Sequence, residues 1–171
     1  MLKIGVIGCG YWGPNLIRNF INLKDAQVKT ASDLSENRLK HMNRLYPSLA
    51  VTVDYKDIIN DPEIDAVVIA TPVSTHYDLA VEAIKAGKHV FCEKPLTSKV
   101  DEGIKLVSLA DKAGKTLMVG HTFVYTAAVN KVRDLIKSGE LGDVYYISTS
   151  RVNLGLFQDD INVVWDLAPH D

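Results

Sequence analysis

The amino-acid sequence predicts an α/β protein with a doubly wound, parallel sheet, followed by the beginning of a second, different sheet. Six short apolar segments alternate with segments whose apolar side chains recur with the period of a helix. This alternation is typical of parallel strands joined by right-handed helical crossovers. Residues 144–152 are rich in β-formers and no helical segment follows them directly, which indicates a strand outside the first sheet.

The apolar segments are each short enough to form one strand of a parallel sheet. They occupy residues 3–7, 27–32, 49–53, 65–70, 89–92 and 116–120. The segment 65–70 is apolar at nearly every position, so we expect helices to cover it on both faces.

Helices are expected wherever the apolar side chains follow a helical period. These segments lie at residues 16–21, 36–46, 57–60, 79–84, 98–113 and 124–137. Ser74 or Thr75 is placed to cap the fourth helix, and Gly87 stands where that helix should stop. Gly114 ends the fifth helix in the same way.

The composition, 47% hydrophobic and 23% charged with a net charge of −2, is that of an ordinary soluble globular protein. The near-neutral balance predicts neither a nucleic acid nor a membrane surface as a partner. We find no signal peptide and no apolar stretch of membrane-spanning length. Cys9 and Cys92 are too few for a disulfide framework, so free thiols and a cytoplasmic location are expected.

A glycine-rich loop, Gly8-Cys9-Gly10-Tyr11-Trp12-Gly13, separates the first predicted strand from the first helix. It fits the Gly-x-Gly-x-x-Gly fingerprint of dinucleotide-binding Rossmann domains. In that fold Gly8 permits a tight turn, Gly10 leaves room for a pyrophosphate, and Gly13 lets helix and strand pack closely. The helix N-terminus offers N–H groups and partial positive charge to the phosphates. We therefore predict a dinucleotide site at this loop.

An acidic residue, Asp33, follows the second predicted strand, 20 residues beyond Gly13. Its carboxylate would accept hydrogen bonds from the adenosine ribose and repel a 2′-phosphate, so the sequence favours NAD over NADP. Arg38 lies close enough in sequence to weaken that preference. Asp33 could instead only cap the helix that follows it, and both interpretations stay open at this point.

Four further motifs follow the glycine loop along the chain. They are Ala70-Thr71-Pro72-x-x-x-His76, Glu93-Lys94-Pro95, Val119-Gly120-His121 and Asp166-x-x-x-His170. Together with the glycine loop they resemble the Gfo/Idh/MocA oxidoreductase family, over the whole chain. The resemblance implies a Rossmann domain over residues 1–121. It also implies that residues 122–171 begin, without completing, a C-terminal α/β domain with a mostly antiparallel sheet for substrate binding and oligomerisation.

The resemblance further implies hydride transfer between NAD(P) and a hydroxyl carbon of a sugar or nucleotide-sugar. It places Lys94 near the nicotinamide and the substrate hydroxyl, with Asp166 and His170 across the same pocket. Oxidising an alcohol needs a base for the hydroxyl proton, and a neutral histidine suits that task near pH 7. We assign His170 as the acid/base, Lys94 as electrostatic partner or shared acid/base, and Asp166 as the orienting group. Whether Lys94 or His170 holds the proton stays open.

Additional cofactor contacts are expected on the loops that carry these motifs. We place them at Tyr11, Trp12, Thr71, Pro72, His76, Glu93, Lys94 and His121, and we expect no metal ion. Simpler alternatives are a plain turn at Thr71 and Pro72, packing of the two aromatic residues against a further domain, and a structural role for His76. The resemblance also implies a cis peptide bond before Pro95.

The segment 154–166 resembles family members that serve the synthesis of surface polysaccharides or nucleotide-sugars, which suggests a dehydrogenase acting at C3 of a nucleotide-sugar. Because members of the family continue well beyond this length, we expect the chain to be a fragment that binds NAD but turns over substrate poorly. Its full-length parent is expected to form a homo-oligomer. The alternative is a non-catalytic dinucleotide-binding sensor or subunit.

Overall fold

The computed structural model describes residues 1–150 and 161–168, and six parallel strands lie within them. The strands are β1 (Leu2–Ile7), β2 (Ala26–Ser32), β3 (Ala50–Thr52), β4 (Ala66–Ile69), β5 (His89–Cys92) and β6 (Leu117–Val119). They form one sheet in the order β3-β2-β1-β4-β5-β6, with every neighbouring pair parallel. All six predicted strands are confirmed, and their ends differ from the predicted ones by at most one residue.

Within the described residues, five helices lie between successive strands and two more follow the last strand. They are α1 (Gly13–Ile21), α2 (Glu36–Leu45), α3 (Lys56–Ile59), α4 (His76–Lys85), α5 (Val100–Ala113), α6 (Ala127–Lys137) and α7 (Val163–Leu167). A short 3₁₀ turn, Val73–Thr75, leads into α4, and a second one, Thr122–Tyr125, precedes α6. Gly87 and Gly114 both have positive φ and stand where α4 and α5 end, as predicted.

The apolar core has two parts, one on each face of the sheet. In β4, Val67 and Ile69 join the part beneath α4 and α5, whereas Val68 joins the part beneath α1 and α2. All three side chains are 0–1% exposed. The sheet is therefore doubly wound, and the nearly uniform apolar character of residues 65–70 reflects burial on both sides.

The strand order reverses between β1 and β4. From β1 the chain moves outward to β2 and β3, then crosses to β4 on the other side. Ile7 and Ile69, the last residues of these two strands, are partners in the sheet register. The loops after β1 and β4 thus lead away from this point in opposite directions, and it is at such a point that open α/β sheets bind ligands.

The strand predicted at residues 144–152 is not found in the part of that segment that the structure describes. Residues 144–150, expected to lie in a strand, form neither strand nor helix, while residues 151 and 152 lie outside the described ranges. A strand needs a neighbour for its hydrogen-bond ladder, and no strand within residues 1–150 and 161–168 pairs with this segment. Its β-rich composition, with Tyr145 and Tyr146 each at least 85% exposed, is therefore insufficient by itself.

The helix α6 has an apolar side that is not buried. Val129, Val132 and Ile136 are 39–54% exposed, although they recur at the spacing of a core-facing stripe. Among the described residues no helix is both long and apolar enough to cross a bilayer.

A buried lysine lies at the opposite end of the sheet from the loops that follow β1 and β4. Lys88, 6% exposed and directly before β5, donates from Nζ to the carbonyl oxygens of Asp61 at 2.6 Å and Ile64 at 2.7 Å.

We expect Lys88→Met to lower the free energy of unfolding by about 1–3 kcal/mol, because it leaves two carbonyl groups without their donor. Urea unfolding measures this. The exposed Lys85 supplies the control, since Lys85→Met should change stability by less than about 0.5 kcal/mol. Equal stability of the two variants would contradict the assigned role of Lys88.

Candidate functional site at the carboxyl edge of the sheet

The sheet brings four of the predicted motifs to one edge. The glycine loop follows β1, Thr71-Pro72 follows β4, Glu93-Lys94-Pro95 follows β5, and Gly120-His121 follows β6. Because β1, β4, β5 and β6 are consecutive in the sheet, these four loops lie side by side.

The glycine loop has the backbone geometry that the fingerprint requires. Gly8 has a φ of +98°, and a Cβ atom there would lie 2.5 Å from the carbonyl oxygen of Ala70. A Cβ atom on Gly13 would collide with the carbonyl oxygen of Gly8. At Gly10, by contrast, the nearest atom to such a Cβ would be a guanidinium nitrogen of Arg38 at 3.8 Å. Gly8 and Gly13 are thus required by the fold itself, whereas Gly10 borders open space.

The helix α1 presents an uncovered N-terminus beside this loop. Trp12 is its N-cap residue and makes no capping hydrogen bond through its side chain, Pro14 stands in its first turn, and no acidic residue lies there. Tyr11 and Trp12 are 70% and 48% exposed, and their rings meet edge to face with centroids 5.5 Å apart. The partial positive charge of the helix terminus is therefore not neutralised by a side chain of the first turn.

Asp33 links the glycine loop to the entry of α2. Its Oδ2 atom accepts a hydrogen bond from the Cys9 N–H at 2.7 Å, and its Oδ1 atom accepts one from the Ser35 N–H at 2.8 Å. Ser35 is the N-cap residue of α2, so Asp33 does not bond to the N–H groups of the helix's own first turn. The guanidinium of Arg38 lies 3.5 Å from Oδ2. Helix capping alone therefore does not explain Asp33, because one of its oxygens orders the glycine loop.

Lys94 forms an ion pair with a residue 72 positions later in the chain. Its Nζ donates to Asp166 Oδ1 at 2.8 Å and to the Asp166 carbonyl oxygen at 3.1 Å. The two side chains are only 11% and 17% exposed. The structure thus brings together Lys94 and Asp166, and the peptide bond from Lys94 to Pro95 is cis, as the family resemblance implied. His170 lies outside the described residues.

Glu93 is a buried carboxylic acid beside Lys94. It is 8% exposed, and burial raises the pKa of its carboxyl group, an effect that the Lys94 N–H and the Lys94 charge partly oppose. A Cβ atom on Gly120 would lie 3.1 Å from each of its carboxylate oxygens. The carboxylate thus packs directly on the backbone of Gly120, a contact that no sequence pattern indicated. His121 is partly exposed and follows it at the end of β6.

The turn after β4 is held by hydroxyl groups. Thr71 Oγ1 and Thr75 Oγ1 are 2.7 Å apart, and Thr75 Oγ1 donates to the Pro72 carbonyl oxygen at 2.8 Å. Thr75 is the N-cap residue of α4, yet its side chain makes no capping bond, because its hydroxyl is used inside the turn. Of the two expected caps, Thr75 thus occupies the N-cap position without capping the helix through its side chain, and capping by Ser74 stays a prediction. His76 is 1% exposed, as expected of a structural residue of the first helical turn.

Both cysteines are buried free thiols. Burial, reinforced by the negative charge of Asp33, raises the pKa of Cys9 to about 12. Burial likewise raises the pKa of Cys92. Neither thiol therefore supplies a thiolate nucleophile at neutral pH. Within residues 1–150 and 161–168, no group of three or more His, Cys, Asp or Glu side chains is arranged to hold a metal ion.

Comparison with known proteins gives concordant matches. The family described as "Oxidoreductase family, NAD-binding Rossmann fold" matches residues 2–121. A myo-inositol 2-dehydrogenase of Thermotoga maritima is 33% identical over 154 residues, which is 88% of this chain and 45% of the relative. A scyllo-inositol 2-dehydrogenase (NADP(+)) of Bacillus subtilis is 30% identical over 164 residues, 96% of this chain and 44% of the relative. The structure of yvaA, an oxidoreductase of Bacillus subtilis, has a TM-score of 0.86 at 29% identity, covering 99% of this chain and 50% of that one.

The chain spans about half the length of the curated relatives that it matches. The family match begins at the start of β1 and ends just after β6, so it covers the whole parallel sheet and its four edge loops. The match covers well over half of the chain, and the motifs of the edge loops predicted it. The chain therefore belongs to the Gfo/Idh/MocA oxidoreductase family, with an NAD-binding Rossmann fold.

Proposed function

We propose that the chain is the cofactor-binding part of an NAD-dependent dehydrogenase that transfers a hydride between nicotinamide and a hydroxyl carbon of a sugar or nucleotide-sugar. The observation that carries this proposal is the partly buried Lys94–Asp166 pair on the same edge as the glycine loop. A protein that only senses a dinucleotide needs the loop but has no use for a proton-handling group beside it.

The residues of this edge suit a dinucleotide. The open space at Gly10 admits a pyrophosphate close to the backbone, next to the uncovered N-terminus of α1. Asp33 lies at the carboxyl end of β2, where it would accept hydrogen bonds from the adenosine ribose. Nicotinamide would then lie toward β4 and β5, near the remaining proposed contacts. These are Tyr11, Trp12, Thr71, Pro72, Glu93, Lys94 and His121. The buried His76, whose two ring nitrogens face backbone carbonyl oxygens, would act on the cofactor only through the loops that it contacts.

The bound cofactor would accept or donate the hydride, and the chain's own residues would handle the proton. The Lys94 ammonium would donate a hydrogen bond to the substrate oxygen and stabilise its negative charge as the proton leaves. Asp166, already bound to Nζ at 2.8 Å, would orient Lys94 and contact the substrate. We assign His170 as the acid/base that takes or returns the proton, with Lys94 as the alternative holder.

The substrate class rests on relatives and on one segment of sequence. Two relatives bear the names of inositol dehydrogenases, which oxidise a ring hydroxyl, and residues 154–166 resemble members that serve nucleotide-sugar synthesis. The exposed apolar side of α6, which lies within residues 122–171, supports assigning this helix to a further domain that would bind substrate and form a homo-oligomer. We place the protein in the cytoplasm, where its two buried free thiols would stay reduced.

Reduction of NAD⁺, followed by absorbance at 340 nm, tests the proposed function with a panel of inositols, hexoses and nucleotide-sugars. A longer form of the protein that contains a second domain should turn over one of these classes. The present chain should bind the cofactor and turn over poorly. Robust turnover by the present chain would contradict the need for a further domain. Cofactor binding without turnover of any alcohol by the longer form would favour the sensor interpretation.

The choice between NAD and NADP depends on Asp33 and Arg38, whose side chains are 3.5 Å apart. We expect Asp33→Ser to shift the ratio of NADH to NADPH dissociation constants toward NADPH by about 10- to 100-fold, because repulsion of the 2′-phosphate is lost and Arg38 becomes available to it. Parallel titrations with both cofactors measure this ratio. In the control, Arg38→Gln should move the ratio the other way. An unchanged ratio in Asp33→Ser would show that Asp33 does not contact the ribose.

A further inference from the structure

His76 connects the two loops that form the centre of the candidate site. Its Nε2 atom lies 2.9 Å from the carbonyl oxygen of Thr71, in the loop after β4. Its Nδ1 atom lies 2.9 Å from the carbonyl oxygen of Pro95, in the loop after β5. The residue is 1% exposed, so water does not compete for either contact.

These contacts lie just beyond the last backbone hydrogen bond between β4 and β5. At the end of the β4–β5 pair, the Glu93 N–H donates to the Ile69 carbonyl oxygen at 2.9 Å. Two residues beyond Ile69 and Glu93, the imidazole of His76 contacts both segments, at Thr71 after β4 and at Pro95 after β5. Both partners are carbonyl oxygens, which only accept, so a neutral ring donates to one of them and only the imidazolium donates to both. The hydrogen bond that bears on Lys94 is donation from Nδ1 to Pro95.

Lys94 is the residue whose position this bridge fixes most directly, since it is bonded to Pro95 and precedes it in the loop. We propose that His76 is a positioning residue for Lys94, acting through the Pro95 carbonyl group. The value of that position for hydride transfer rests on the function proposed above. The bridge itself is independent of cofactor and substrate, so the two proposals fail separately.

Two amide substitutions separate the contacts of the ring. In His76→Asn the amide nitrogen can occupy the place of Nδ1 and donate to the Pro95 carbonyl group. In His76→Gln it can reach the place of Nε2 and donate to the Thr71 carbonyl group instead. His76→Leu keeps much of the volume and removes both contacts. Asn should therefore preserve the position of Lys94, whereas Gln and Leu should not.

The position of Lys94 can be read from its rate of acetylation by an N-hydroxysuccinimide ester, mapped by mass spectrometry on the intact chain without cofactor. Lys94 is 11% exposed and paired, so it should react slowly. Lys88 is 6% exposed at the other end of the sheet, so a rise in its acetylation rate would indicate global unfolding. Lys99 is 67% exposed, so its acetylation rate shows whether the reagent is equally active in each sample. Asp166→Asn is the positive control, because it weakens the hold on Lys94 directly.

We expect His76→Gln and His76→Leu to raise the acetylation rate of Lys94 about 5-fold, the change in loop opening that loss of one ordinary hydrogen bond produces. The rate at Lys88 should stay unchanged, and His76→Asn should resemble the wild type. Unchanged reactivity of Lys94 in the Gln and Leu variants overturns the proposal. So does a parallel rise at Lys88, which would indicate general destabilisation, or rescue by Gln rather than Asn. If the Leu variant does not fold, the comparison of Asn with Gln still decides.

Discussion

Alanine at Gly10 is expected to weaken NADH binding by about 10- to 100-fold, the effect of one misplaced methyl group at a closely fitted contact. In the protein without cofactor, the new Cβ atom would meet only a guanidinium nitrogen of Arg38 at 3.8 Å. The free energy of unfolding should therefore stay the same within about 0.5 kcal/mol. The loss of affinity arises because the methyl group fills the space through which the pyrophosphate approaches the backbone.

The matched variant Gly13→Ala should behave in the opposite way. Its Cβ atom would collide with the carbonyl oxygen of Gly8, so α1 must move away from β1 or the loop must distort. We expect the free energy of unfolding to fall by about 3 kcal/mol, at the upper end of the cost of overpacking. Urea unfolding and NADH titration of both variants give a two-by-two comparison.

The contrast between the two glycines is the informative result. Gly10→Ala should lose affinity and keep stability, whereas Gly13→Ala should lose stability first. If Gly10→Ala bound NADH as tightly as the wild type, the open space beside Gly10 would have no part in phosphate binding. If Gly13→Ala were as stable as the wild type, the close approach of helix and strand would not matter to the fold.

Replacement of Lys94 by methionine should have the largest effect on catalysis. In any form of the protein that turns over substrate, we expect kcat to fall by about 100- to 10,000-fold, the usual range for a group that handles a proton or stabilises an oxyanion. The NADH dissociation constant should change by less than about 3-fold, because phosphate and ribose contacts supply most of the affinity. Steady-state kinetics and fluorescence titration measure the two quantities.

Lys99→Met is the control for this prediction. Lys99 is 67% exposed and paired with Glu102, and it lies five residues further along the same segment. Its replacement should leave both kcat and NADH affinity unchanged. A Lys94→Met protein with wild-type kcat would remove Lys94 from the chemistry. A protein that lost NADH affinity instead of kcat would make Lys94 a cofactor ligand only.

The architecture was predictable because each strand carries its own local pattern. The segment 65–70 is apolar at every position after Asp65 and forms β4, one of the two central strands, whereas the polar, periodic segment 36–46 forms a helix with one buried side. The glycine spacing predicted the turn at Gly8, whose φ is +98°. The prediction failed at residues 144–150, because β propensity describes a surface that needs a partner strand.

The candidate site was predictable at the level of its motifs and not of its contacts. The family resemblance, rather than spacing, named Lys94 and Asp166 as residues of one pocket. The two side chains form an ion pair, and their roles toward cofactor and substrate stay predictions. No pattern indicated that the Asp33 carboxylate accepts a hydrogen bond from the Cys9 N–H, or that the Glu93 carboxylate packs against the backbone of Gly120. Such contacts depend on how loops from different strands end at the same edge, which only the assembled sheet determines.

The most direct test of the central claim, that this edge binds a nicotinamide dinucleotide through the glycine loop, is a fluorescence titration with NADH and separately with NADPH. Trp12 lies in the loop, and Trp165→Phe leaves it as the single tryptophan of the chain. We predict saturable quenching of Trp12 with tighter binding of NADH than of NADPH, and a marked loss of affinity in Gly10→Ala. The absence of quenching with either cofactor, in a chain whose circular dichroism shows native α/β content, would contradict the claim.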